Sequence, residues 1–588
     1  MSAPHASEPA SAMPGAQLPP PAASDCRALI AGAVALLALL YVYPLAIWFP
    51  LLDPAEGTHA SISQEMVERG QFLVPTLFGV AFEDKPILFF WLQTASLRLL
   101  GMTEAAIRLP GLLFGVLGAI TTGLLGWRLF GRRAGLIAVV VEATMLMPMA
   151  QSQAGAHDVM LVVWVNLALL ALWMAMAADS VTRGALATVG AGAAVGLAIL
   201  TKGLVGPAIV YVTLGLTLLA TRRLTTRTLA LTAASGILGV LVAMPWYLRM
   251  EQVTPGYLYY YFAERHLAGF ATDTQRHGGQ PVWYYLPVMI AGGLPWAAFL
   301  PSAWANAGPV TWAGTWRTRA TDAPDRPVGA EAPDHARRFV WIWLAGGLLL
   351  LSAASSKLAT YALPLFPPLA LLVALAWQGR LDGTRDAARG TMAGVWLQTL
   401  LLAAAPVAAI SVVGREYGVS YPLAVRVGAS AVALAWLLPV FAWRRHRHGL
   451  AFWGTAGTMT ATLLFVLTWL LPPVAPSLSA RDLGVRLAEH PLPARLWLVD
   501  ERVASVVFYL TPEQRVGLTP DRIESVGLGS LPDRLRDTQV VPVVAVRERQ
   551  IDELAARIAG LTALPFARAG QFRLYDGHLL AAALPHDD

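Results

Sequence analysis

Charged residues that could do chemistry recur in this 588-residue chain wherever a hydrophobic stretch breaks off. Asp53, Glu56 and His59 follow the first apolar segment, and Glu83, Asp84 and Lys85 precede Pro86 about one loop later. Further along stand His157–Asp158, Lys202, Glu264–Arg265–His266, His277 and Lys357. Acids and cations gathered at the edge of a lipid-soluble bundle suit a transfer reaction on a lipid-borne substrate. Cations offset charge that develops on a phosphate leaving group. A carboxylate serves as general base on an acceptor hydroxyl, or binds a divalent metal together with a histidine; an acceptor that is itself a phosphate needs no base.

Each candidate also has a plain structural reading. Asp158 opens a very apolar helix (VMLVVWVNLALL) and suits an N-cap; Asp53 and Glu56 suit a capping box. Lys202 and Lys357 fit lysines that reach to the interface, and Lys85 fits a salt bridge with Asp84. Glu142 lies inside an apolar span and is read as structural.

The elements that must position these residues are membrane helices. Hydrophobic residues make up 56% of the chain and charged ones 14%, against about 25% charged in soluble domains. Twenty tryptophans and fifteen tyrosines suit aromatic belts at the bilayer interfaces. The net charge of +6 comes from arginines in short loops, which set orientation, so nucleic acid is not an expected partner. The single cysteine, Cys26, excludes an internal disulfide.

Thirteen spans are expected, within 28–51, 106–130, 134–152, 158–178, 185–200, 203–221, 228–248, 283–304, 339–353, 358–378, 391–413, 421–443 and 450–472. Pro86–Gly101 is read as an interfacial helix with Phe89, Phe90 and Trp91 dipping into lipid. Counting it as a span would leave the Arg-rich loops (Arg132–Arg133, Arg183, Arg222–Arg227, Arg317–Arg338, Arg380–Arg389, Arg444–Arg447) outside, against the positive-inside rule. The expected organisation is a disordered cytoplasmic tail at 1–27, a membrane domain at 28–475 with exterior loops at 52–105 and 249–282, and an exterior α/β domain at 476–588. In that last domain Arg495–Asp500, Ser505–Tyr509 and Val540–Val546 read as strands and Ile551–Ile558 as a helix.

Five stretches, DPAEGTHASISQEM…FLVPTLFGVAFEDKPILFFWL, AGAHDVMLV, LTKGLVGP, QPVWYYLPVMIAGGLPW and SSKLATYALPLFPPLALL, occur in that order between Leu51 and Leu372. Together they resemble the 4-amino-4-deoxy-L-arabinose (aminoarabinose) lipid A transferase family, related to protein O-mannosyltransferases. The resemblance implies a GT-C glycosyltransferase of a bacterial inner membrane. Its active site and C-terminal domain would be periplasmic, its donor an undecaprenyl-phosphate-linked sugar, and its acceptor lipid A or another envelope glycan. It implies Lys85, Lys202 and Tyr361 at the donor phosphate, where the residues add Arg265 as a further candidate; Asp158, Glu56 and Asp53 are read as the catalytic carboxylates, orienting or activating the acceptor or binding a metal. It also implies a divalent ion (Zn or Mg/Mn) held by Asp84 and His266. The chain departs from the family's first-loop motif at Ala55, Thr58 and His59, and has Gly269 where an arginine is expected. Three other readings stay open: the same fold moving another hexose to a different glycan or protein, a lipid-linked-sugar transporter or flippase, and a non-catalytic lipid binder.

Overall fold

The structure is a computed structural model describing residues 23–272, 279–307, 333–383, 388–500 and 504–584, apart from 517, 520, 538–540, 557, 559–560 and 562–564. The expected tail up to residue 22, His277 and most of the Arg317–Arg338 loop lie outside the described residues.

The amino-terminal half runs α1 (Cys26–Ala46), α2 (Ala55–Arg69), α3 (Leu88–Leu100), α4 (Glu104–Phe130), α5 (Arg132–Ala143), α6 (Leu146–Gln153), α7 (Asp158–Ala177), α8 (Val181–Lys202), α9 (Val205–Ala220) and α10 (Thr226–Val253). After a helical segment at Tyr259–Ala268 come α11 (Val282–Gly292), α12 (Trp296–Ala305), α13 (His335–Ala353), α14 (Ala359–Leu381), α15 (Gly390–Glu416), α16 (Leu423–Arg444) and α17 (His448–Leu478). Among the described residues ten helices are long and apolar enough to cross a bilayer, and twelve if two bent pairs each count as one span. The chain is thus a multi-pass helical membrane protein.

The expected thirteen spans differ from this for physical reasons. The span expected at 134–152 is bent by 59° between α5 and α6, and the one at 283–304 by 103° between α11 and α12. The thirteenth corresponds to α9, whose 16 residues rise only about 24 Å. With 13 residues, α3 is too short to span, in line with the interfacial reading. Its Phe89 and Phe90, however, do not dip into lipid. Each is 1% exposed, packed inside the protein against the ring of His59. Tryptophans likewise divide: Trp48, Trp283 and Trp469 are exposed as a belt requires, while Trp296, Trp343 and Trp377 are fully buried in the bundle core.

Short strands β1 (Thr76–Leu77) and β2 (Val80–Ala81) form a hairpin between α2 and α3. After α17 the chain forms a five-stranded sheet from β3 (Leu496–Val499), β4 (Ile523–Val526), β5 (Val543–Arg547), β6 (Ala567–Ala569) and β7 (Phe572–Asp576). Its order is β4-β3-β5-β7-β6; β3 runs parallel to both neighbours, and the remaining pairs are antiparallel. All four residues of β3 are buried: Leu496 and Leu498 face one apolar cluster, Trp497 and Val499 the other. A strand covered on both faces reads as an unbroken apolar run, which is how it shows in the sequence. Ser505–Phe508, expected as a strand, is a helix instead; a five-residue apolar run carries no period that separates the two.

Candidate functional site

The site is built where α7 starts and α8 stops. The two are antiparallel neighbours joined by a short loop, so the first residue of one and the last of the other share one end of the bundle. Those residues are Asp158 and Lys202. Both are buried, and the Lys202 ammonium is ion-paired to Asp158 Oδ1. Asp158 does not cap α7; no side-chain cap bond is made at that end, so the N-cap reading is not what the structure has. Below the pair, Tyr361 in the first turn of α14 presents its ring face to Lys202, with Nζ 4.0 Å from the ring centre.

Gly203 follows Lys202 with φ +69°, a left-handed conformation that turns the chain back into α9. A methyl group there would overlap the ring of His266. That histidine is fixed by Nδ1, 2.6 Å from the Tyr261 carbonyl, while Nε2 lies 3.4 Å from the Lys202 carbonyl. Burial pulls its pKa below the usual histidine value.

Lys85 enters from the loop before α3. Its Nζ is 3.4 Å from the Asp84 carbonyl oxygen. Burial and then the neighbouring Arg265 lower its pKa to about 8, with Asp84 opposing them. Asp84 itself faces the Tyr259–Ala268 segment, taking a hydrogen bond from the Tyr260 hydroxyl (3.1 Å) and pairing with Arg265 (3.3 Å). Lys85 lies near enough to act electrostatically on both Lys202 and His157, which sets the loop lysine on the same side as the α7–α8 pair.

Behind Asp158 lie two imidazoles. His157 has Nε2 3.7 Å from Asp158 Oδ1 and its ring 5.3 Å from that of His59. His59 Nδ1 is 3.2 Å from the carbonyl of Gly155, at a turn with φ +54°. Burial lowers His59 to about 4 and holds His157 well below its usual value, the nearby Lys202, His59 and Lys85 adding to the latter, so both rings are neutral.

Two of the expected catalytic carboxylates, Glu56 and Asp53, are held by partners other than the Asp158–Lys202 pair. Glu56 takes a two-pronged ion pair from Arg108 (2.8 and 3.0 Å) and the Leu52 amide (2.7 Å). Arg108 spends its other protons on the Phe49 and Pro50 carbonyls, both at 3.0 Å. With both partners buried and bonded, Glu56 has no free edge for substrate. Asp53 points away, accepting from the Ser505 amide (3.1 Å) and hydroxyl. Burial raises its pKa to about 7 against the pull of those bonds and of Arg547. Lys357 is buried with Nζ 3.2 Å from the Gln280 carbonyl, not reaching into an interface.

The sequence reading missed Arg108, although an arginine in the apolar run of α4 demands a buried carboxylate. It also missed Tyr260, which nothing distinguishes within YLYYYF.

The residues expected to hold a metal do not fit one. Asp84 and His266 supply two donors, short of the three protein ligands that even open zinc sites use. No group of three or more His, Cys, Asp or Glu side chains able to hold an ion occurs among the described residues. Arg265 already neutralises Asp84, and Lys85 and Lys202 would repel a second cation. What these groups can do is hold an anion: two lysines and an arginine stand against two carboxylates, Asp158 and Asp84, which leaves one positive charge in excess.

The sequence profile of the dolichyl-phosphate-mannose-protein mannosyltransferases matches residues 84–248. The undecaprenyl phosphate-α-4-amino-4-deoxy-L-arabinose arabinosyl transferase of Pectobacterium carotovorum subsp. carotovorum is 33% identical over 393 residues, 66% of this chain and 65% of that one. Its counterpart 1 from Sodalis glossinidius is 32% identical over 366 residues, 61% and 60% of the two chains. The chain therefore matches less than two thirds of either relative's length. Among solved structures, ArnT from Cupriavidus metallidurans bound to undecaprenyl phosphate superposes with a TM-score of 0.69 at 21% identity, covering 96% of this chain and 100% of that one. The archaeal oligosaccharyltransferase AglB from Archaeoglobus fulgidus gives 0.50 at 12% identity, covering 90% and 70%. The fold is accordingly of the GT-C type: a multi-helix membrane bundle followed by a small α/β domain.

Proposed function

We propose that this chain, a relative of the undecaprenyl phosphate-aminoarabinose arabinosyl transferases over some 360 residues, is a polyprenyl-phosphate-dependent glycosyltransferase. Its donor is an undecaprenyl-phosphate-linked sugar and its acceptor lipid A or a related envelope glycan. It works at the periplasmic face of a bacterial inner membrane, the orientation that keeps the Arg-rich loops in the cytoplasm. The observation that carries this reading is the buried Asp158–Lys202 pair with Lys85 beside it, at one end of the lipid-facing helices.

In the reaction the bond from the sugar's anomeric carbon to the donor phosphate oxygen breaks, and a bond to an acceptor oxygen forms. Undecaprenyl phosphate leaves with the extra negative charge. Lys85 and Lys202 meet that charge, a stabilisation worth most in a pocket shielded from water; Arg265, half-engaged with Asp84, is the third cation. Tyr361 holds the Lys202 ammonium over its ring and limits where it can go. Asp158 takes the proton if the acceptor is a hydroxyl, or orients a phosphate acceptor that is already ionised.

The test is transfer of label from an undecaprenyl-phosphate sugar to a lipid acceptor by purified protein, with mass spectrometry of lipid A from cells with and without it. A mass increment names the sugar. Label that crosses a vesicle bilayer with no new covalent product points to transport, and binding with neither outcome points to a non-catalytic lipid binder.

A further inference from the structure

Lys202 has two demands on one ammonium. It is paired to Asp158, and on the glycosyl-transfer reading, on which this inference rests, it also holds the donor phosphate. A phosphate that draws the ammonium away leaves Asp158, 5% exposed, as an uncompensated buried charge.

His157 is the group placed to answer. It is 6% exposed, its Nε2 stands 3.7 Å from Asp158 Oδ1, and neither ring nitrogen has a hydrogen-bond partner among the described residues. Buried polar atoms are nearly always bonded, so an imidazole with two idle nitrogens calls for a second arrangement in which one is used. The groups that face it are His59 from α2, Phe89 from α3, Lys85 from the loop before α3, Lys202 from α8 and its own neighbour Asp158. Glu56 is held by Arg108. Asp158 is thus the acceptor within its reach.

We propose that His157 is a positioning residue that takes over Asp158 when the donor phosphate takes Lys202. Nε2–H donates to Oδ1 as the ammonium turns from the carboxylate to the phosphate. One ion pair breaks, one imidazole–carboxylate hydrogen bond and one ammonium–phosphate contact form, and no proton enters or leaves. His59, tied to the Gly155 carbonyl, backs the ring and keeps it facing Asp158.

Binding of undecaprenyl phosphate to the full-length protein in nanodiscs tests this, with His157→Phe (similar bulk, no donor) and His157→Gln (an amide donor). The phenylalanine variant is expected to bind about tenfold or more weakly and the glutamine variant to within about threefold of the parent. Because His157 acts through Asp158, His157→Phe should change nothing further in an Asp158→Asn background, which a merely structural role would not predict. Should the phenylalanine variant not fold, imidazole nitrogen shifts of the parent, assigned by comparison with His157→Gln, replace it; a shift of Nε2 on adding undecaprenyl phosphate is expected, and none overturns the proposal. Equal binding by parent and His157→Phe, equal weakening by Phe and Gln, or a His157→Phe loss as large in the Asp158→Asn background as in the parent overturn it alone. No binding by the parent overturns it together with the glycosyl-transfer reading.

Discussion

Lys202 and Asp158, 44 residues apart in sequence, close the open ends of two adjacent membrane helices with a buried ion pair. On the glycosyl-transfer reading the pair joins the cation for the donor phosphate to the carboxylate for the acceptor, and so ties the two substrates' positions to each other.

Substitutions in this pair are expected to separate binding from transfer. Asp158→Asn releases Lys202 and removes the base or orienting group. Undecaprenyl phosphate should then bind at least as tightly as to the parent, while transfer falls about 100-fold or more. Lys202→Ala should weaken binding and transfer together. Lipid binding and label transfer, measured on the same preparations, check both; weaker binding by Asp158→Asn would contradict the idea that carboxylate and phosphate compete for one ammonium.

Lys85 makes the site sensitive to mildly alkaline pH. Its pKa is lowered to about 8, so the folded protein holds this proton less tightly than the unfolded chain between about pH 8 and the ordinary lysine value. Stability therefore gains nothing from the charge below pH 8, and rises with pH as the buried ammonium is neutralised. Phosphate binding moves the opposite way: the cation disappears as pH rises through about 8, and affinity should fall by up to about tenfold per further pH unit. Lys85→Arg, charged at every accessible pH, should flatten that profile at some cost in fit. Binding titrations from about pH 7 to about pH 9 give the answer.

Glu56 and Arg108 predict a loss of protein, not of rate. Removing one partner of a buried ion pair strands the other and costs about 3–5 kcal/mol. Glu56→Ala and Arg108→Ala should each lower thermal stability and folded yield sharply. A paired Glu56→Met/Arg108→Met replacement should recover part of the stability, since both charges leave together. Thermal unfolding in detergent, with transfer normalised to folded protein, distinguishes this from a catalytic Glu56, which would silence transfer at unchanged stability.

How far the sequence could be read depended on where each partner lies. The ten long spans show as apolar runs because a bilayer demands them, and Lys85, Asp158 and Lys202 stand out as charges where such runs end. Bends are invisible to that signal: α5 and α6 together are as apolar as a straight helix, and the break between them is marked only by Pro148, whose ring conflicts with the carbonyl four residues earlier. The partners of Asp53 and Glu56 were illegible because Ser505 and Arg108 lie 452 and 52 residues away, and nothing local distinguishes a carboxylate that binds substrate from one that holds the fold. His157 drew attention only through its neighbour; its idle ring nitrogens are a fact of packing.

Asp53 carries the last prediction, which concerns the joint between the membrane bundle and the α/β domain. Its two oxygens accept from the Ser505 amide and hydroxyl, while Ser61 donates to the Ala504 carbonyl (2.7 Å) and the Leu51 amide to the Tyr509 hydroxyl (2.9 Å). Helix Ser505–Phe508 is thus bolted to α2, whose other face carries His59 toward the site. Asp53→Ala leaves the Ser505 amide and hydroxyl without their acceptor and should cost about 1–3 kcal/mol at this joint. Hydrogen exchange should then rise across 504–510 while the α7–α8 pair stays protected, and transfer should fall only modestly. If Asp53 were instead a catalytic group, transfer would collapse with exchange at 504–510 unchanged. The two outcomes are exclusive because one carboxylate cannot both face the donor and fill the Ser505 socket.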